Sequence, residues 1–327
     1  MKGIGLLSGG LDSAIAVYLM KEQGVDIVGI NIDTGFISED LEKLEKLSER
    51  FNFRVERIDV FEEYKKILDN PRFGFGKNMN PCIDCRILMY RVAKKKMQEE
   101  KADFIFTGEV LGQRPFSQTL YAVKQIEEKS DTAGMVIRPL SAFYFRPTGV
   151  ELSGRINRSK FLSIKGRNRK VQLKLAELWK LNEFNSPSGG CLLTDPGFSR
   201  KLKEWIRIAG GATNLTREMV EIMKIGRHIK LSDRSILVVG RNRSENSRLE
   251  EMSGNYVTLK TMEFPGPTAI IFGDLTEREI RHASEIVARY SDAPAGGEVR
   301  VKVMDQEGKN SFVRIKVDKK LKYSIIT

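Results

Sequence analysis

The feature that most constrains the fold is a short glycine-rich turn near the start of the chain, Ser8–Ser13, with the sequence SGGLDS. An apolar run, Ile4–Leu7, comes directly before it, and Ala14–Met20 follows with a helical pattern. Glycine lets the backbone close around an anion, and the helix start contributes N–H groups and a positive dipole end. Ser8 and Ser13 add hydroxyl donors. The sequence therefore predicts that this turn binds phosphate.

Two better-known phosphate-binding sequences are absent from the chain. The Walker A motif does not occur, and the nearest dinucleotide-binding fingerprint, Gly3–Ser8, has serine where its third glycine belongs. From the residues alone, an ordinary Gly-Gly turn remains the alternative to a phosphate site.

Composition favours a cytoplasmic protein that meets a polyanion. The chain has 327 residues, enough for two domains, and 41% of them are apolar, enough to bury a core. It contains no run of 18 apolar residues and begins without a signal sequence, so we expect no membrane partner. Lys and Arg number 55 against 43 Asp and Glu, and the resulting charge of +12 favours a nucleic-acid partner. A merely solvated basic surface is the alternative.

Strand-like apolar runs alternate with helical patterns along the first part of the chain. The strand candidates are Lys2–Leu7, Asp26–Ile32, Phe53–Ile58, Asp103–Thr107 and Met135–Ile137. The helix candidates between them are Leu41–Phe51, Ile87–Glu100 and Gln113–Glu127. This alternation predicts an α/β domain over residues 1–195, a doubly wound parallel sheet that binds ligands at the carboxyl ends of its strands. Asn31 ends the second strand at that edge and is a candidate nucleotide contact, although a structural turn explains it equally well.

Three cysteines form a second candidate site. Cys82 and Cys85 make a C-x-x-C sequence just ahead of a predicted helix, and Cys191 follows the loop Pro187–Gly190. All three are predicted to lie in loops marked by glycine or proline, whereas a structural cysteine is usually buried as a small apolar residue. The helix start is expected to lower the thiol pKa and to favour the thiolate.

The number of cysteines narrows the chemical alternatives without deciding between them. Three thiolates would hold a [4Fe-4S] cluster with one open iron. A closed zinc site needs four ligands, and His228 and His282 lie far along the chain, so a carboxylate such as Asp84 or Asp195 would have to complete it. A persulfide or disulfide relay and buried structural cysteine are the further alternatives.

A strongly basic segment follows, between residues 153 and 180. Against the single acid Glu177 it carries Arg155, Arg158, Lys160, Lys165, Arg167, Arg169, Lys170, Lys174 and Lys180. This charge suits a phosphate backbone, with Phe161 and Trp179 as stacking or packing groups. The alternative is an amphipathic helix over Val171–Leu181 that leaves its lysines solvated. Its buried side would consist of Leu173, Leu175 and Leu178.

Further residues carry a family resemblance. They are Thr107-Gly108-Glu109, Gly112-Gln113, Ser117-Gln118-Thr119, Arg138-Pro139, Cys85-Arg86, Met89 and Arg91. Together with the Ser8–Ser13 turn they resemble the PP-loop ATPase core of tRNA 4-thiouridine synthetases and, more loosely, of tRNA 2-thiouridylases, over residues 1–195. The resemblance implies that ATP is the cofactor. It implies as ATP-binding residues Ser8, Gly9, Gly10, Asp12 and Ser13 on the pyrophosphate and Arg86, Gly108 and Gln118 on the nucleotide.

The resemblance also implies a chemistry. ATP adenylates a uracil carbonyl oxygen, pyrophosphate departs into the turn, and a sulfur nucleophile displaces AMP, with Mg²⁺ on the phosphates and held through Asp12. The C-x-x-C with a distant third cysteine is similar to the three-cysteine, iron–sulfur thiolases of the same superfamily, so Cys82, Cys85 and Cys191 join Asp12 as catalytic candidates. No histidine occurs in the first 227 residues, so the sulfur donor, inorganic sulfide or a persulfide carrier, must bring its own reactivity.

The resemblance to the synthetases is incomplete at three points. Many of the synthetases use a rhodanese appendage as sulfur donor, and we expect none here. They carry an RNA-binding extension before the phosphate turn, and their spacing from Gly108 to Gln118 is one residue shorter. In this chain the alternation stops past residue 195, and residues 196–327 are predicted to form a smaller α+β domain. The predicted elements are helices Phe198–Ala209 and Glu277–Tyr290, strands Ser235–Val239, Tyr256–Lys260 and Thr268–Phe272, and a hairpin of Glu298–Val303 and Ser311–Val317.

One stretch of this second domain, Gly240–Arg248, resembles the signature of NFACT-R type RNA-binding domains. Such a domain would dock tRNA in place of an N-terminal extension. A structural dimerisation domain, and with it a homodimer, is the alternative.

The function that these residues favour is ATP-dependent tRNA uridine thiolation, a sulfurtransferase activity. Two alternatives stay open. One is a PP-loop amidating ligase or nucleobase-forming synthetase with zinc-bound cysteines, and the other is a non-catalytic RNA-binding protein with a vestigial ATP site.

Overall fold

The chain divides into two compact units, Met1–Thr194 and Asp195–Thr327. The computed structural model describes residues 1–37, 41–184 and 190–326. Three residues of the loop predicted before Cys191, numbers 187–189, lie outside the described residues. Within the described ranges, no helix is long and apolar enough to cross a membrane.

The first unit is built on a five-stranded sheet with the strand order β3-β2-β1-β4-β5, in which every paired neighbour runs parallel. Its strands are β1 (Lys2–Leu6), β2 (Asp26–Asp33), β3 (Arg54–Asp59), β4 (Phe104–Thr107) and β5 (Val136–Ile137). Its helices are α1 (Leu11–Lys21), α2 (Leu41–Arg50), α3 (Phe61–Asp69), α4 (Cys82–Glu99), α5 (Leu120–Ser130), α6 (Gly149–Leu152) and α7 (Lys170–Leu178).

Helices cover both faces of this sheet. Residues of α1, α2 and α7 share one apolar cluster, and residues of α4 and α5 share another. Within β1, Gly3 and Gly5 make room for aromatic rings, because a β-carbon at these positions would come within 2.8 and 2.7 Å of the rings of Phe104 and Phe106. The predicted α/β, doubly wound parallel sheet is confirmed.

Two helices of this unit begin elsewhere than predicted. Helix α4 starts at Cys82 rather than Ile87, so Cys82 and Cys85 lie in its first turn and not in a loop. Pro81 occupies the N-cap, and its carbonyl accepts the amide of Cys85 at 2.9 Å. Helix α5 starts only at Leu120, because the side chain of Thr119 caps it by accepting a hydrogen bond from a backbone N–H of its first turn.

The second unit contains a seven-stranded antiparallel sheet with the order β11-β10-β8-β9-β7-β6-β12. Its strands are β6 (Arg227–Lys230), β7 (Ser235–Val239), β8 (Val257–Thr261), β9 (Ala269–Gly273), β10 (Glu298–Met304), β11 (Asn310–Lys316) and β12 (Ser324–Ile325). Its helices are α8 (Pro196–Ala209), α9 (Arg217–Lys224), α10 (Arg243–Glu251) and α11 (Glu277–Tyr290). The predicted smaller α+β domain with a β10–β11 hairpin is confirmed.

Candidate active site

The phosphate turn has the backbone geometry that an anion site needs. Gly9 adopts a φ of +74°, which favours glycine, and Gly10 is the N-cap of α1 without a side-chain hydrogen bond to the first turn. The hydroxyls of Ser8 and Ser13 lie 3.3 Å apart, and the Ser8 amide donates to Ser13 Oγ at 3.2 Å. The turn therefore presents N–H and hydroxyl donors at the positive end of a helix dipole.

Asp12 is held on one side only. Gln113 Nε2 donates to Asp12 Oδ2 at 3.0 Å, whereas Oδ1 is buried and has no hydrogen-bond partner among the described residues. An unpaired buried carboxylate oxygen is costly, and a cation on the phosphates would satisfy it. The carboxylate at this place therefore fits the expected magnesium.

Asn31 lies beneath the turn rather than on the pocket wall. It is 1% exposed, its Nδ2 donates to the carbonyl of Leu7 at 3.1 Å, and its Oδ1 has no partner among the described residues. Asn31 thus anchors the strand end that leads into the phosphate turn.

Gly108 follows β4 and lies against the turn. A β-carbon there would come within 2.5 Å of the carbonyl carbon and oxygen of Asp12 and within 2.7 Å of the Ser13 nitrogen. Glycine is required at this position because any side chain would push the two backbones apart.

A buried ion cluster supports the wall behind Gly108. Glu109 is 5% exposed and contacts Arg86 at 3.0 Å, Arg138 at 3.2 Å and the hydroxyl of Tyr90. Arg138 also contacts Glu127 at 2.6 Å. Burial alone would raise the pKa of Glu109, but the positive charges of Arg86 and Arg138 outweigh it and lower that pKa. Arg86, expected on the nucleotide, is thus neutralised by a carboxylate.

One pocket joins the phosphate turn to the cysteines. Its wall contains Leu6, Leu7, Ser8, Asp12, Ser13, Ile30, Ile32, Ile37, Tyr64, Asn80, Cys82, Cys85, Arg86, Met89, Thr107, Gly108, Glu109, Gln113, Arg114, Ser117, Gln118 and Cys191. The pocket lies where the carboxyl ends of the parallel strands meet, as the βα alternation predicts. The two candidate sites of the sequence are therefore one site.

The third cysteine reaches this pocket through a contact between distant parts of the first unit. Cys191 forms an antiparallel bridge with Ile37, and the amide of Leu192 donates to the carbonyl of Phe36 at 2.9 Å. Cys82 and Cys85 come from the start of α4. All three cysteines are partly buried and are not in disulfides.

Burial, not the helix start, governs the ionisation of the thiols. It raises the pKa of Cys85 to about 12 and that of Cys191 to about 11, and it also raises the pKa of Cys82. The negative charge of Cys191 raises the pKa of Cys85 further, while Tyr64, hydrogen-bonded to Cys85, lowers it. The expected lowering of the thiol pKa by the helix start is therefore wrong for these three cysteines.

The pocket wall supplies three thiols, and neither carboxylate considered as a fourth zinc ligand lines it. Among the described residues, no group of three or more Cys, His, Asp or Glu side chains is already arranged to hold a metal ion. Asp84 accepts the amide of Phe73 at 3.0 Å, and Asp195 caps its own helix by accepting the amide of Phe198 at 2.7 Å. Both carboxylates considered as a fourth zinc ligand are thus engaged, whereas three thiols share one pocket.

Gln118 and Arg114 have roles that the sequence did not predict. Gln118 lines the pocket but is 3% exposed, and its Oε1 accepts the backbone amide of Arg114 at 2.8 Å. Arg114 lines the pocket with an exposed side chain and was missed because a lone arginine in a turn has no periodicity to mark it. Its position beside Gln113 was the available signal.

The basic segment separates into structural and exposed residues. Arg155 contacts Asp103 at 2.7 Å, and Arg158 contacts Glu151 at 2.6 Å. Lys160, Lys165, Arg167 and Lys170 are exposed. The Nε of Arg169 is buried without a hydrogen-bond partner among the described residues.

The apolar residues of this segment also differ from expectation. Phe161 is buried, and Trp179 stacks on Tyr18 with ring centroids 4.1 Å apart. Both aromatic rings therefore pack within the protein and are not available to stack on an RNA base. Helix α7 leaves Leu173 and Leu178 exposed at 44% and 73%, contrary to the alternative in which an amphipathic helix buries them. Its fully buried residues are Gln172 and Ala176.

In the second unit, the Gly240–Arg248 stretch builds the start of α10. The side chain of Asn242 accepts the amide of Glu245 at 3.0 Å, and Arg241 pairs with Glu245. A β-carbon at Gly240 would lie 2.1 Å from Asn246 Oδ1. The signature residues thus fix a strand–turn–helix, and Arg243 lies at its surface.

Each of the two units matches a known family model over part of its length. Residues 1–144 match the family model described as thiamine biosynthesis protein (ThiI), and residues 226–322 match the one described as NFACT protein RNA binding domain. The first unit is therefore similar to ThiI proteins, and the second is similar to NFACT RNA-binding domains. The resemblance drawn from the motifs, a PP-loop tRNA-thiolation core followed by an NFACT-R-like domain, is confirmed.

Individual relatives match this chain only over part of their length. A probable tRNA sulfurtransferase of Methanothermobacter thermautotrophicus is 37% identical over 125 residues, 36% of this chain and 31% of that protein. The tRNA-specific 2-thiouridylase MnmA of Clostridium acetobutylicum is 32% identical over 121 residues, 31% of this chain and 34% of that protein. The chain therefore spans about a third of the length of these curated relatives.

One of the solved structures similar to the chain is matched over a longer stretch. It is the U34-tRNA thiolase NcsA from Methanococcus maripaludis with its [4Fe-4S] cluster. That structure is 19% identical, covers 68% of this chain and 71% of its own, and superposes with a TM-score of 0.32.

Proposed function

We propose that the chain is an ATP-dependent tRNA uridine thiolase, a tRNA sulfurtransferase that adenylates a uracil carbonyl and then transfers sulfur to the same carbon. The observation that carries this proposal is the single pocket lined by both the phosphate turn and three cysteine thiols. Adenylation needs the phosphate turn, and sulfur transfer needs the thiols. The two steps act on one base, so both groups must line the same pocket.

In this proposal the phosphate turn binds ATP. The donors of Ser8, Gly9, Gly10 and Ser13 hold the departing pyrophosphate at the dipole end of α1. Asp12 holds Mg²⁺ through its unpaired Oδ1. Gly108 keeps the adjoining strand close enough to complete the nucleotide site.

Cys82, Cys85 and Cys191 would hold a [4Fe-4S] cluster. Such a centre, when bound, supplies an open iron that presents sulfide as a nucleophile. The protein contributes the surrounding cavity, since the partly buried thiols and the buried Tyr64 exclude water from this side of the pocket. Inorganic sulfide is the proposed donor, with a persulfide carrier as the other source of sulfur.

The RNA would approach along the basic segment. The amide of Gly166 donates to the carbonyl of Leu111 at 2.7 Å, two residues before Gln113, the partner of Asp12. The exposed Arg167 and Lys170 follow Gly166 within four residues, so this contact ties the start of the exposed basic stretch to the loop that lines the pocket. We propose residues 1–195 as the catalytic domain and residues 196–327 as the tRNA-docking domain.

Pyrophosphate release in the presence of tRNA tests the proposal. The full-length protein with ATP, Mg²⁺ and unmodified tRNA should release pyrophosphate, and omitting tRNA should abolish the release. A ligase acting on a small molecule would not need tRNA, and a vestigial site would release none. Mass spectrometry of the nucleosides from the treated tRNA then identifies the thiolated uridine.

Anaerobic purification tests the metal centre. Protein with a [4Fe-4S] cluster should be brown and carry close to four irons per chain. Changing any one of the three cysteines to serine should remove both iron and thiolation. Colourless anaerobic protein with full activity would contradict the cluster and favour a persulfide relay, and bound zinc would favour the closed-site alternative.

A further inference from the structure

Arg114 differs from Arg86, the other arginine of the active pocket, because it has no carboxylate partner there. The charged side chains of the pocket wall are Asp12, Arg86, Glu109 and Arg114. Arg86 is neutralised by Glu109 at 3.0 Å. Within the described part of the chain, no carboxylate lies within ion-pair distance of Arg114. Arg114 is therefore the positive charge of this pocket wall that no carboxylate pairs with among the described residues.

The backbone around Arg114 is held firmly. Gln118 Oε1 accepts the Arg114 amide at 2.8 Å, and the Gln118 amide donates to the Arg114 carbonyl at 3.0 Å. The Gly112 amide donates to the Gln118 carbonyl at 2.7 Å, which closes the turn on its other side. The side chain of the buried Gln118 thus fixes the backbone of the exposed Arg114. Such support preorganises a binding residue.

Arg114 also connects the two halves of the pocket. Its neighbour Gln113 hydrogen-bonds to Asp12 of the phosphate turn. Arg114 itself lines the same pocket wall as Cys82, Cys85 and Cys191. The arginine therefore shares a pocket with the thiols and lies one residue from the contact that orients Asp12.

We propose that Arg114 binds the α-phosphoryl group of the nucleotide, first in ATP and then in the adenylated uracil, and stabilises the charge that AMP gains as it leaves. This assignment rests on the proposed function. A planar guanidinium matches phosphate oxygens in a bidentate geometry, and an arginine without a carboxylate partner is the pocket group able to offer it.

The sulfur-transfer step explains why this charge is needed. A hydrosulfide ion forms a C–S bond at the adenylated uracil carbon, the C–O bond breaks, and its electron pair leaves with AMP. The proton of the hydrosulfide moves to the adjacent ring nitrogen as the thione forms. The leaving AMP gains one negative charge on its phosphate, and Arg114 would stabilise that charge where it develops.

Equilibrium binding tests the assignment without catalysis. The full chain with Arg114→Gln should bind AMP about tenfold to a hundredfold more weakly than the unsubstituted protein, the loss of a charge-assisted contact, while its affinity for adenosine stays the same. Arg114→Lys should fall between the two, because it keeps the charge and loses the bidentate fork. Arg146→Gln changes an exposed arginine outside the pocket and should leave both affinities unchanged.

Three results would overturn the assignment. Unchanged AMP affinity in Arg114→Gln, or an equal loss of AMP and adenosine affinity, would exclude a specific phosphate contact. A fall in tRNA affinity with unchanged AMP affinity would instead assign Arg114 to an RNA phosphate. An unsubstituted protein that binds no adenine nucleotide would refute the proposed function itself, an outcome visible before any variant is compared.

Discussion

Gly108 and Asp12 approach so closely that a β-carbon on Gly108 would lie 2.5 Å from the Asp12 carbonyl carbon. Gly108→Ala should therefore push the end of β4 away from the phosphate turn. Backbone atoms on both sides leave no flexible side chain to yield, so we expect at least a tenfold loss of ATP affinity. Titration calorimetry with a non-hydrolysable ATP analogue measures it.

Gly149→Ala is the matched control for this substitution. A β-carbon at Gly149 would meet no atom within 4 Å, and the residue opens helix α6, where alanine is tolerated. Its ATP affinity should equal that of the unsubstituted protein. An equal loss of ATP affinity in both variants would show that the close approach of Gly108 to Asp12 does not determine ATP binding.

Asp12→Asn keeps the size of the side chain and removes its charge. Because Oδ1 is unpaired and expected on the phosphate-bound cation, tRNA-dependent pyrophosphate release should fall by about 10²-fold or more. Affinity for tRNA should not change. Asp26→Asn, an exposed aspartate at the start of β2, should retain full release. Normal release by Asp12→Asn would remove Asp12 from the metal site.

Neutralising Arg167, Arg169 and Lys170 to glutamine should weaken tRNA binding and reduce its salt dependence. A plot of log affinity against log salt concentration should become less steep by about 0.9 for each lost contact with a duplex phosphate. Fluorescence anisotropy with labelled tRNA at several salt concentrations measures the slope. ATP affinity should be unaffected.

The control for the basic segment removes the same charge elsewhere on the first unit. It is a triple glutamine variant of Lys66, Lys95 and Lys124, all exposed on helices α3, α4 and α5. If this variant changes the slope as much as the first, binding follows net charge alone and the segment is only a solvated surface.

His228 should make the second unit sensitive to acid. Burial, reinforced by the charge of Lys201, lowers the pKa of His228 to about 3, and its ring accepts a hydrogen bond from Trp205 at 3.2 Å. The unfolded chain binds a proton near pH 6.5 and the folded chain does not, so stability is lost as pH falls from 6.5 towards 3. Between pH 7 and pH 5 the loss should be about 2 kcal/mol from this residue.

Denaturant unfolding at the two pH values, followed by tryptophan fluorescence, checks this figure. His228→Gln cannot titrate and should lose less stability on acidification, although it should be less stable at pH 7 because the packing around Trp205 is disturbed. His282→Gln, on the half-exposed face of α11, should retain the full acid dependence. The same acid dependence in His228→Gln would assign the effect to other groups.

Regular patterns in the sequence predicted much of the fold. The predicted Glu277–Tyr290 and Ser235–Val239 agree with α11 and β7 to the residue. Both are strongly patterned, one by a capping box at Thr276 and the other by a continuous buried run. Helix α10 was not predicted because Leu249 is its one apolar residue, so no apolar stripe marks it.

The site was predictable where chemistry is local and not where it depends on tertiary contacts. The phosphate turn is contiguous, so the residues Ser8–Ser13 were enough to predict a phosphate site there. The burial that raises the thiol pKa values comes from elements distant in sequence, and so does the pairing of Arg86 with Glu109. Arg114 stands out only after the other pocket charges are seen to be balanced.

The bridge between Cys191 and Ile37 also sets the order in which the site can be assembled during synthesis. The phosphate turn, β1 and β2 emerge first, whereas the third thiol emerges about 150 residues later. A nascent chain that has reached only α7 has two of the three thiols and an open wall beside Ile37. A metal centre held by all three cysteines could therefore form only after the first unit has been synthesised as far as Cys191.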